Sequence, residues 1–273
     1  MNNKTNTSLM YEIQERVRFV NRQRWFRLVV SGKGASGVRG FFDQYPRFFT
    51  TSAAAATPDR LNQRYRALIE SNAGIIQGRR ILDIASHDGR WTLAANKAGA
   101  EYVLGIEARS HLVDFARSSM HEYGVPENQA EFRQGDVMTE LDRLEPEQFG
   151  TIFCFGFLYH TIDHMLLLRK IAHLKPKHLV IDTAISVRPA NIIEIREEQI
   201  NDERNGAVGE PGHPTRTVIG KPTKSALELM VQAAGFRPLR YYDWFHAGIS
   251  RWDDLDDYYV GARVSLTCEA SLT

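Results

Sequence analysis

The chain has 273 residues, of which 43% are hydrophobic and 25% are charged, and its formal net charge is +1. This size and composition suit a globular protein with one large domain, or a domain with an extension, and the near-zero charge argues against a surface that binds polyanions everywhere. No apolar run approaches the roughly 18 residues of a transmembrane helix. The N-terminus lacks the apolar core of a secretory signal, and the two cysteines, Cys154 and Cys268, lie in apolar runs, so we expect a cytoplasmic protein with free thiols.

The N-terminal part of the chain is predicted to be helical. Apolar residues at spacings of three and four predict a helix over 8–30, and Pro58 can begin a second helix over 58–73. We assign residues 1–75 to an N-terminal helical extension or lid. Between 16 and 39 the chain carries seven Lys or Arg and no acid. We interpret this stretch as a solvated helix face and a basic loop, with a surface for an anionic substrate or nucleic acid as the alternative.

From residue 79 onward, short apolar runs alternate with helical stretches. The predicted helices lie around 90–99, 110–123 and 160–174. The predicted strands are 80–85, 102–107, 130–136, 151–157 and 178–185. This alternation is typical of a parallel sheet with helices on both faces, and the mostly uniform apolar character of the strands agrees with burial on both sides.

After the fifth strand, residues 187–222 are rich in charge, Gly and Pro and are too long for a plain connection. We expect this insertion to cover the acceptor site as a lid. A helix with a capping box at 225–228 should follow and end at Gly235. The last two strands are predicted at 238–244 and 258–268 as an antiparallel pair, and the aromatic cluster 241–245 is expected to pack within the sheet rather than line a substrate site.

Three predicted strands end in an acid. Asp83 precedes the SHDG loop, Glu107 lies eighteen residues after Gly89, and Asp136 follows the third strand. An acid about twenty residues past such a loop can accept hydrogen bonds from ribose hydroxyls, and Asp136 could accept from an adenine amine. The same acids could instead be helix caps. The predicted cofactor-binding residues are Asp83, Ala85, Ser86, His87, Gly89, Glu107, Ala108, Asp136, Val137, Phe155 and Gly156.

The charge of the first loop discriminates between two cofactor classes. A dinucleotide site needs several glycines so that backbone amides can approach the pyrophosphate, whereas this loop has only Gly89. Asp83 and Asp88 would place negative charge beside that anion. The loop therefore favours a cofactor with a positive centre, such as the sulfonium of S-adenosylmethionine, over NAD.

Three segments of the second half carry a family resemblance: FGFLYHTIDHMLLLRKIAHLKP, HLVIDTAI and IGKPTKSALELMVQAAGF. Residues 79–268 resemble the class I S-adenosylmethionine-dependent methyltransferases, and the second half is similar to the branch of tRNA wobble-uridine carboxymethyltransferases. In that branch the first loop reads D-x-G-C-x-x-G, so Ala85 and Ser86 depart from it. The resemblance implies an α/β, Rossmann-like fold over 76–273, with a seven-stranded, mostly parallel sheet whose final strand is antiparallel.

Methyl transfer needs a base only when the acceptor is protonated, and His160 is our candidate general base, with Tyr159 beside it. The alternative is a histidine at a helix start that packs under Tyr159. His160 and His164 have a metal-ligand spacing, which we interpret as coincidence. A divalent metal, with Asp182 or acids of the insertion as ligands, is left undecided.

We expect an enzyme that methylates a hydroxyl of a small-molecule acceptor such as a glycoside or natural product. The alternative is an RNA-modifying transferase of the tRNA wobble-uridine type, and a cofactor-binding sensor or scaffold is a third hypothesis. A membrane partner is not expected, and homo-oligomerisation is left open. The candidates for the acceptor wall are Tyr159, Arg188, His213, Arg216 and Lys221.

Overall fold

Seven strands form the central sheet of the computed structural model, which describes residues 40–51, 57–200 and 215–271. The strands of this sheet are β1 Arg80–Ile84, β2 Tyr102–Glu107, β3 Ala130–Gln134, β4 Thr151–Phe155, β5 His178–Ala184, β8 Phe236–Tyr241 and β9 Arg263–Ala270. Their order in the sheet is β3-β2-β1-β4-β5-β9-β8. Strands β1 to β5 pair in parallel, and β9 runs antiparallel to both of its neighbours. The predicted fold class is therefore confirmed.

Helices lie on both faces of the sheet, with short turns of 3-10 helix between some elements. The α-helices of the described residues are α1 Pro58–Leu68, α2 Ala73–Ile76, α3 Arg90–Lys97, α4 Ser110–Glu122, α5 Val137–Leu141, α6 His164–His173, α7 Lys224–Ala233 and α8 Asp256–Tyr259. The 3-10 turns are Phe41–Gln44, Pro46–Phe49, Glu70–Asn72 and Leu158–His160.

Two buried apolar clusters, one on each face, hold the helices to the sheet. Trp91 of α3 and Val113 of α4 belong to the first, and Leu167 of α6 and Leu227 of α7 belong to the second. Residues 40–76 also contribute to the first cluster, and a compact unit runs from Gly40 onward. The predicted helix over 8–30 and the basic stretch 16–39 lie outside the described residues.

Several predicted boundaries are wrong. The helix expected from residue 160 begins at His164, because residues 158–160 form a separate 3-10 turn. The helix expected to be capped at Ser225 is capped by Thr223, whose hydroxyl accepts from the Ala226 amide at 3.2 Å. The last strand begins at Arg263 rather than at residue 258, because α8 occupies 256–259.

The insertion at 187–222 contains its own secondary structure. Strands β6 Ile193–Gln199 and β7 Arg216–Pro222 pair as an antiparallel ribbon. Residues 201–214, which include His213, lie outside the described residues. The ribbon follows β5 directly, so it lies at the same edge of the sheet as the predicted cofactor loop.

The two cysteines and the membrane prediction can also be compared with the structure. Cys154 and Cys268 are buried free thiols, and burial raises the pKa of each to about 12. Within the described parts of the chain, none of the helices has the length and apolar character that crossing a bilayer requires.

Candidate active site

The candidate site lies where the strand order reverses. β1 is flanked by β2 on one side and β4 on the other, so the strands that follow β1 are added first on one side of it and then on the other. The loops after the carboxyl ends of β1, β2 and β4 therefore border a crevice, which is where open α/β sheets bind ligands. These ends carry Asp83, Glu107 and Gly156.

The loop after β1 has an unusual backbone. Ala85, His87 and Gly89 all have positive φ, at 51°, 54° and 80°. A Cβ at Gly89 would come within 2.9 Å of Ala116 and Phe132, so the position requires glycine on two counts. The hydroxyl oxygen of Ser86 is buried and has no hydrogen-bond partner among the described residues. The loop thus carries an unsatisfied polar group at the crevice.

Asp83 is fully buried at the end of β1. Its Oδ2 atom accepts a hydrogen bond from the Thr92 hydroxyl at 2.8 Å. Burial, reinforced by the negative charges of Asp88 and Glu107, raises the pKa of Asp83 to about 7. A positively charged ligand beside Asp83 would stabilise the ionised form of this carboxylate and lower its pKa again.

Asp88 does not add free negative charge to the loop, which corrects the sequence interpretation. Its buried carboxylate receives two hydrogen bonds from the Arg90 guanidinium, at 2.7 and 2.5 Å. The Thr51 hydroxyl also donates to it. Despite burial, these partners hold the pKa of Asp88 well below its usual range. Arg90 therefore offsets much of the charge of Asp88, and Asp83 and Glu107 are the other two carboxylates of the crevice.

Both of the other acids bind backbone amides. The Glu107 carboxylate accepts from the amides of His87 and Arg109, each at 3.0 Å, and is buried. Asp136 is exposed and caps α5 by accepting from the Thr139 amide at 3.0 Å. Each carboxylate has further lone pairs, so neither role prevents ligand binding. Ala108 is half-buried beside Glu107, and Val137 is buried.

A histidine and a glutamate meet beyond the end of β4. Phe155 is buried, Gly156 has φ of 76°, and the 3-10 turn that follows carries Tyr159 and His160. The rings of Tyr159 and His160 lie 4.1 Å apart. The Nδ1 atom of His160 is 2.6 Å from the Oε2 atom of Glu198, which belongs to β6 of the ribbon. The ribbon therefore contributes directly to this site.

Asp182, at the end of β5, is the centre of a buried cluster. Arg64 and Arg263 donate to its Oδ1 atom at 2.8 and 2.7 Å, and the hydroxyls of Tyr258 and Ser265 donate to Oδ2 at 2.7 Å. Although burial opposes ionisation, the arginines hold the pKa of Asp182 well below its usual range. With both oxygens engaged in this way, Asp182 is a poor metal ligand.

In the described ranges, no group of three Asp, Glu, His or Cys side chains is arranged so that it could hold a metal ion. His164 is buried, and its Nε2 atom is 2.9 Å from the Gly220 carbonyl. His164 therefore packs α6 against the ribbon, and its spacing from His160 has this structural explanation.

The predicted wall residues have different environments. Lys221 is half-buried on β7, and burial lowers its pKa. Arg216 is exposed and pairs with Glu197 at 2.9 Å. Arg188 is exposed and lines a cavity of about 670 Å³ beyond β5, β8 and β9. Tyr242, Trp244 and Phe245 line the same cavity, while Trp244 and Tyr242 also pack in the first apolar cluster, so the aromatic cluster has both roles.

Sequence reasoning missed Glu198, the partners of Asp182 and the cavity. Arg64 and Arg263 are 118 and 81 residues from Asp182, so proximity along the chain gives no signal. Glu198 lies in β6, and the many charged residues of the insertion gave no indication that this segment forms a strand. The buried acid at the end of β5 was the one available signal, since a buried charge requires a partner.

Comparisons with known proteins bear on the family and the fold. Residues 81–177 match the family described as "Methyltransferase domain". A tRNA U34 carboxymethyltransferase of Pseudomonas savastanoi pv. phaseolicola is 27% identical over 206 residues, which is 71% of this chain and 59% of that protein. The chain thus spans 59% of the length of this curated relative.

Solved structures share the fold. The N-terminal domain of EvdMO1, determined in the presence of SAH and D-fucose, has a TM-score of 0.55 at 17% identity and covers 77% of this chain and 82% of that one. An S-adenosylmethionine-dependent methyltransferase of Mesorhizobium loti has a TM-score of 0.51 at 17% identity and covers 71% and 92%. At such identities the likeness concerns the fold alone.

Proposed function

This chain carries a class I S-adenosylmethionine-dependent methyltransferase domain, as its sequence predicted, and from that premise we propose that it methylates a hydroxyl group of a small-molecule acceptor. The observation that carries the proposal is the 2.6 Å contact between His160 and Glu198 beyond β4. A carboxylate that fixes one imidazole nitrogen leaves the other available as a base.

The crevice residues fit S-adenosylmethionine. Buried Asp83, whose pKa is raised to about 7, and buried Glu107 suit the ammonium and ribose parts of that molecule. The unpartnered Ser86 hydroxyl provides a further polar contact. Gly89 keeps the loop free of a Cβ where its backbone turns with positive φ. Asp136 would accept from the adenine amine while it caps α5.

The protein's own residues do the remaining work. S-adenosylmethionine, when bound, supplies an electrophilic methyl group. The Nδ1–H of His160 donates to Glu198, so its Nε2 atom can accept the proton of the acceptor hydroxyl. Glu198 then stabilises the imidazolium that forms. The ribbon brings Glu198 to this side of the crevice, and Tyr159 holds the imidazole ring by packing against it.

Calorimetry and product analysis test the proposal. We expect S-adenosylhomocysteine to bind and NAD not to bind, and we expect mass spectrometry to detect methylated hydroxylated acceptors. His160→Ala should lower kcat far more than it lowers the affinity for S-adenosylhomocysteine. Binding of NAD alone would overturn the cofactor assignment, and near-normal turnover of His160→Ala would remove the histidine from the mechanism.

A second candidate is carboxymethyl transfer to tRNA. One observation besides the relatives favours it: Arg64 and Arg263 share the single carboxylate of Asp182, which leaves a buried excess of positive charge beside the end of β4. Such charge suits a transferred group that bears a carboxylate. The basic stretch 16–39 would then contact phosphates.

RNA binding discriminates between the two candidates. Phosphate contacts are strongest at low salt, so a salt titration with tRNA should reveal them there if they exist. We expect no tRNA binding at low salt. Tight, salt-sensitive binding would favour the tRNA candidate over the small-molecule acceptor.

A further inference from the structure

The cavity beyond β5, β8 and β9 shares no lining residue with the predicted cofactor site, and we propose that it binds a neutral, hydroxylated six-membered ring of the sugar type. Its volume is about 670 Å³, within the usual range for small-molecule sites. The proposal that such a ring binds in the cavity does not depend on the proposed function. Only the further statement, that this ring is the non-reacting part of the methyl acceptor, rests on the proposed function.

Aromatic side chains form one wall of the cavity. The ring of Trp244 stacks on Tyr258 with centroids 3.8 Å apart, and Tyr242 meets Trp244 edge-on at 5.0 Å. Tyr241 lies under the Lys224 ammonium, 4.0 Å from the ring centroid. Those rings support the wall from within the fold, and the exposed ring of Phe245 with the half-buried ring of Tyr242 can offer apolar contact to the C–H face of a ligand ring.

One buried donor on the cavity wall lacks a protein partner among the described residues, and polar side chains of α7 also line the cavity. The side chain of Trp244 is 5% exposed, and its indole N–H has no hydrogen-bond partner among the described residues. An unsatisfied buried donor is costly, so an acceptor oxygen supplied by a ligand would be favourable there. Ser225 and Glu228 of α7 line the same space and can bind further hydroxyls.

Charges of both signs surround the cavity, which favours a ligand without a strong net charge of its own. Lys224 and Arg188 are matched by Glu228 and Asp243. Arg263 also lines the cavity, but its guanidinium is bonded to Asp182 at 2.6 Å. A phosphate would meet two carboxylates here, whereas a neutral polyol can use donors and acceptors of both signs.

Arg263 links the cavity to the candidate base. Its guanidinium carbon lies 5.6 Å from the centroid of the Tyr159 ring, and Tyr159 packs on His160. A ring held in the cavity would therefore sit on the far side of Arg263 from the methyl-transfer site. An acceptor with two parts could occupy both places.

Ligand-observed NMR on the full chain tests the proposal. The probe is methyl β-D-glucopyranoside, and uridine and inorganic phosphate are tested as alternative ligands. Trp244→Phe keeps the stacked ring and removes the N–H, so we expect roughly three- to tenfold weaker binding. Trp252→Phe makes the same change outside the cavity lining and should bind like the unmodified protein. Glu228→Gln is a second test variant, because it changes a half-buried side chain of the cavity lining and leaves the apolar core unaltered.

The outcomes separate the cavity from the cofactor site. Loss of glycoside binding in Trp244→Phe and Glu228→Gln, with Trp252→Phe unchanged, supports the proposal. Absence of glycoside binding to a protein that binds S-adenosylhomocysteine overturns it and leaves the proposed function intact. Binding of uridine or phosphate in preference to the glycoside also overturns it. Failure to bind S-adenosylhomocysteine instead contradicts the proposed function, whatever the glycoside does.

Discussion

The Nδ1 atom of His160 lies 2.6 Å from the Oε2 atom of Glu198, although 38 residues separate the two in sequence. His160 ends the 3-10 turn after β4, and Glu198 belongs to the ribbon inserted after β5. The insertion is therefore more than a cover, because it supplies the group that orients the candidate base. General bases contribute about 10²- to 10⁴-fold to rate, and part of that effect should depend on Glu198.

Glu198→Gln should lower kcat by roughly ten- to a hundredfold, because the amide keeps the hydrogen bond but cannot stabilise the imidazolium. The affinity for S-adenosylhomocysteine should change little, since Glu198 lies on the ribbon rather than in the cofactor loops. Glu197→Gln is the matched control: it removes the neighbouring carboxylate, which pairs with exposed Arg216. Equal turnover in the two variants would contradict an orienting role for Glu198.

The raised pKa of Asp83, about 7, makes cofactor affinity depend on pH. Below this pKa the carboxyl is protonated and loses its attraction for the ammonium group of S-adenosylhomocysteine, so the affinity for that ligand should fall toward tenfold per pH unit between about pH 6 and 5. Calorimetry across this range measures the effect. In Asp83→Asn the affinity should be weak at every pH, and a dependence equal to that of the unmodified protein would exclude Asp83 as its source.

The same shift has a consequence for stability. Because the pKa of Asp83 is higher in the folded chain than its usual 3.8, the folded state binds an extra proton between these values. The ligand-free protein should therefore lose stability as pH rises from about 4 through about 7 at this group. Thermal denaturation of Asp83→Asn should show a smaller decline over that interval, and an unchanged decline would assign it to other groups.

Periodicity predicted the central sheet well, because β1, β4 and β5 are buried on both faces and read as mostly apolar runs. The ribbon escaped detection since β6 carries Glu194, Arg196 and further charges and stays largely exposed. Its strands are specified by pairing with one another, which composition does not reveal.

The same distinction applies to the residues of the candidate site: some can be identified from their position in the sequence, and others only from the tertiary structure. Asp83 and Glu107 follow directly from their places at strand ends, whereas the role of Asp88 depends on where the Arg90 side chain folds back. The cavity requires several elements to converge, among them β8 with Tyr241 and β9 with Arg263. Such convergence is a property of tertiary structure and has no local signature.

Asp182→Asn should destabilise the protein strongly. Two buried arginines would lose their only shared carboxylate among the described residues, and breaking a buried pair of this kind costs about 3–5 kcal/mol of unfolding free energy. Urea denaturation measures the loss. Asp253→Asn removes an exposed carboxylate paired with Arg251 and should change stability little.

The pH dependence gives a second measurement of the Asp182 cluster. Its depressed pKa means that the stabilisation is complete above the ordinary aspartate pKa and is lost as pH falls below about 4. Asp182→Asn should therefore remove part of the steep loss of stability in acid. An acid transition of unchanged steepness would show that the carboxylate is not stabilised by Arg64 and Arg263 as the structure indicates.

Gly89→Ala separates backbone strain from steric conflict in the cofactor loop. Gly248 has a comparable φ of 70° but open space around its Cβ position, whereas a Cβ at Gly89 would meet Ala116 and Phe132 at 2.9 Å. Both alanine variants carry the cost of a left-handed alanine, of the order of 1 kcal/mol. Gly89→Ala must in addition displace the loop from α4 and β3, and the loop also holds Ser86 and His87 against the crevice. We expect Gly248→Ala to retain normal affinity for S-adenosylhomocysteine and Gly89→Ala to lose tenfold or more, so equal affinities in the two variants would show that the loop does not contact the cofactor.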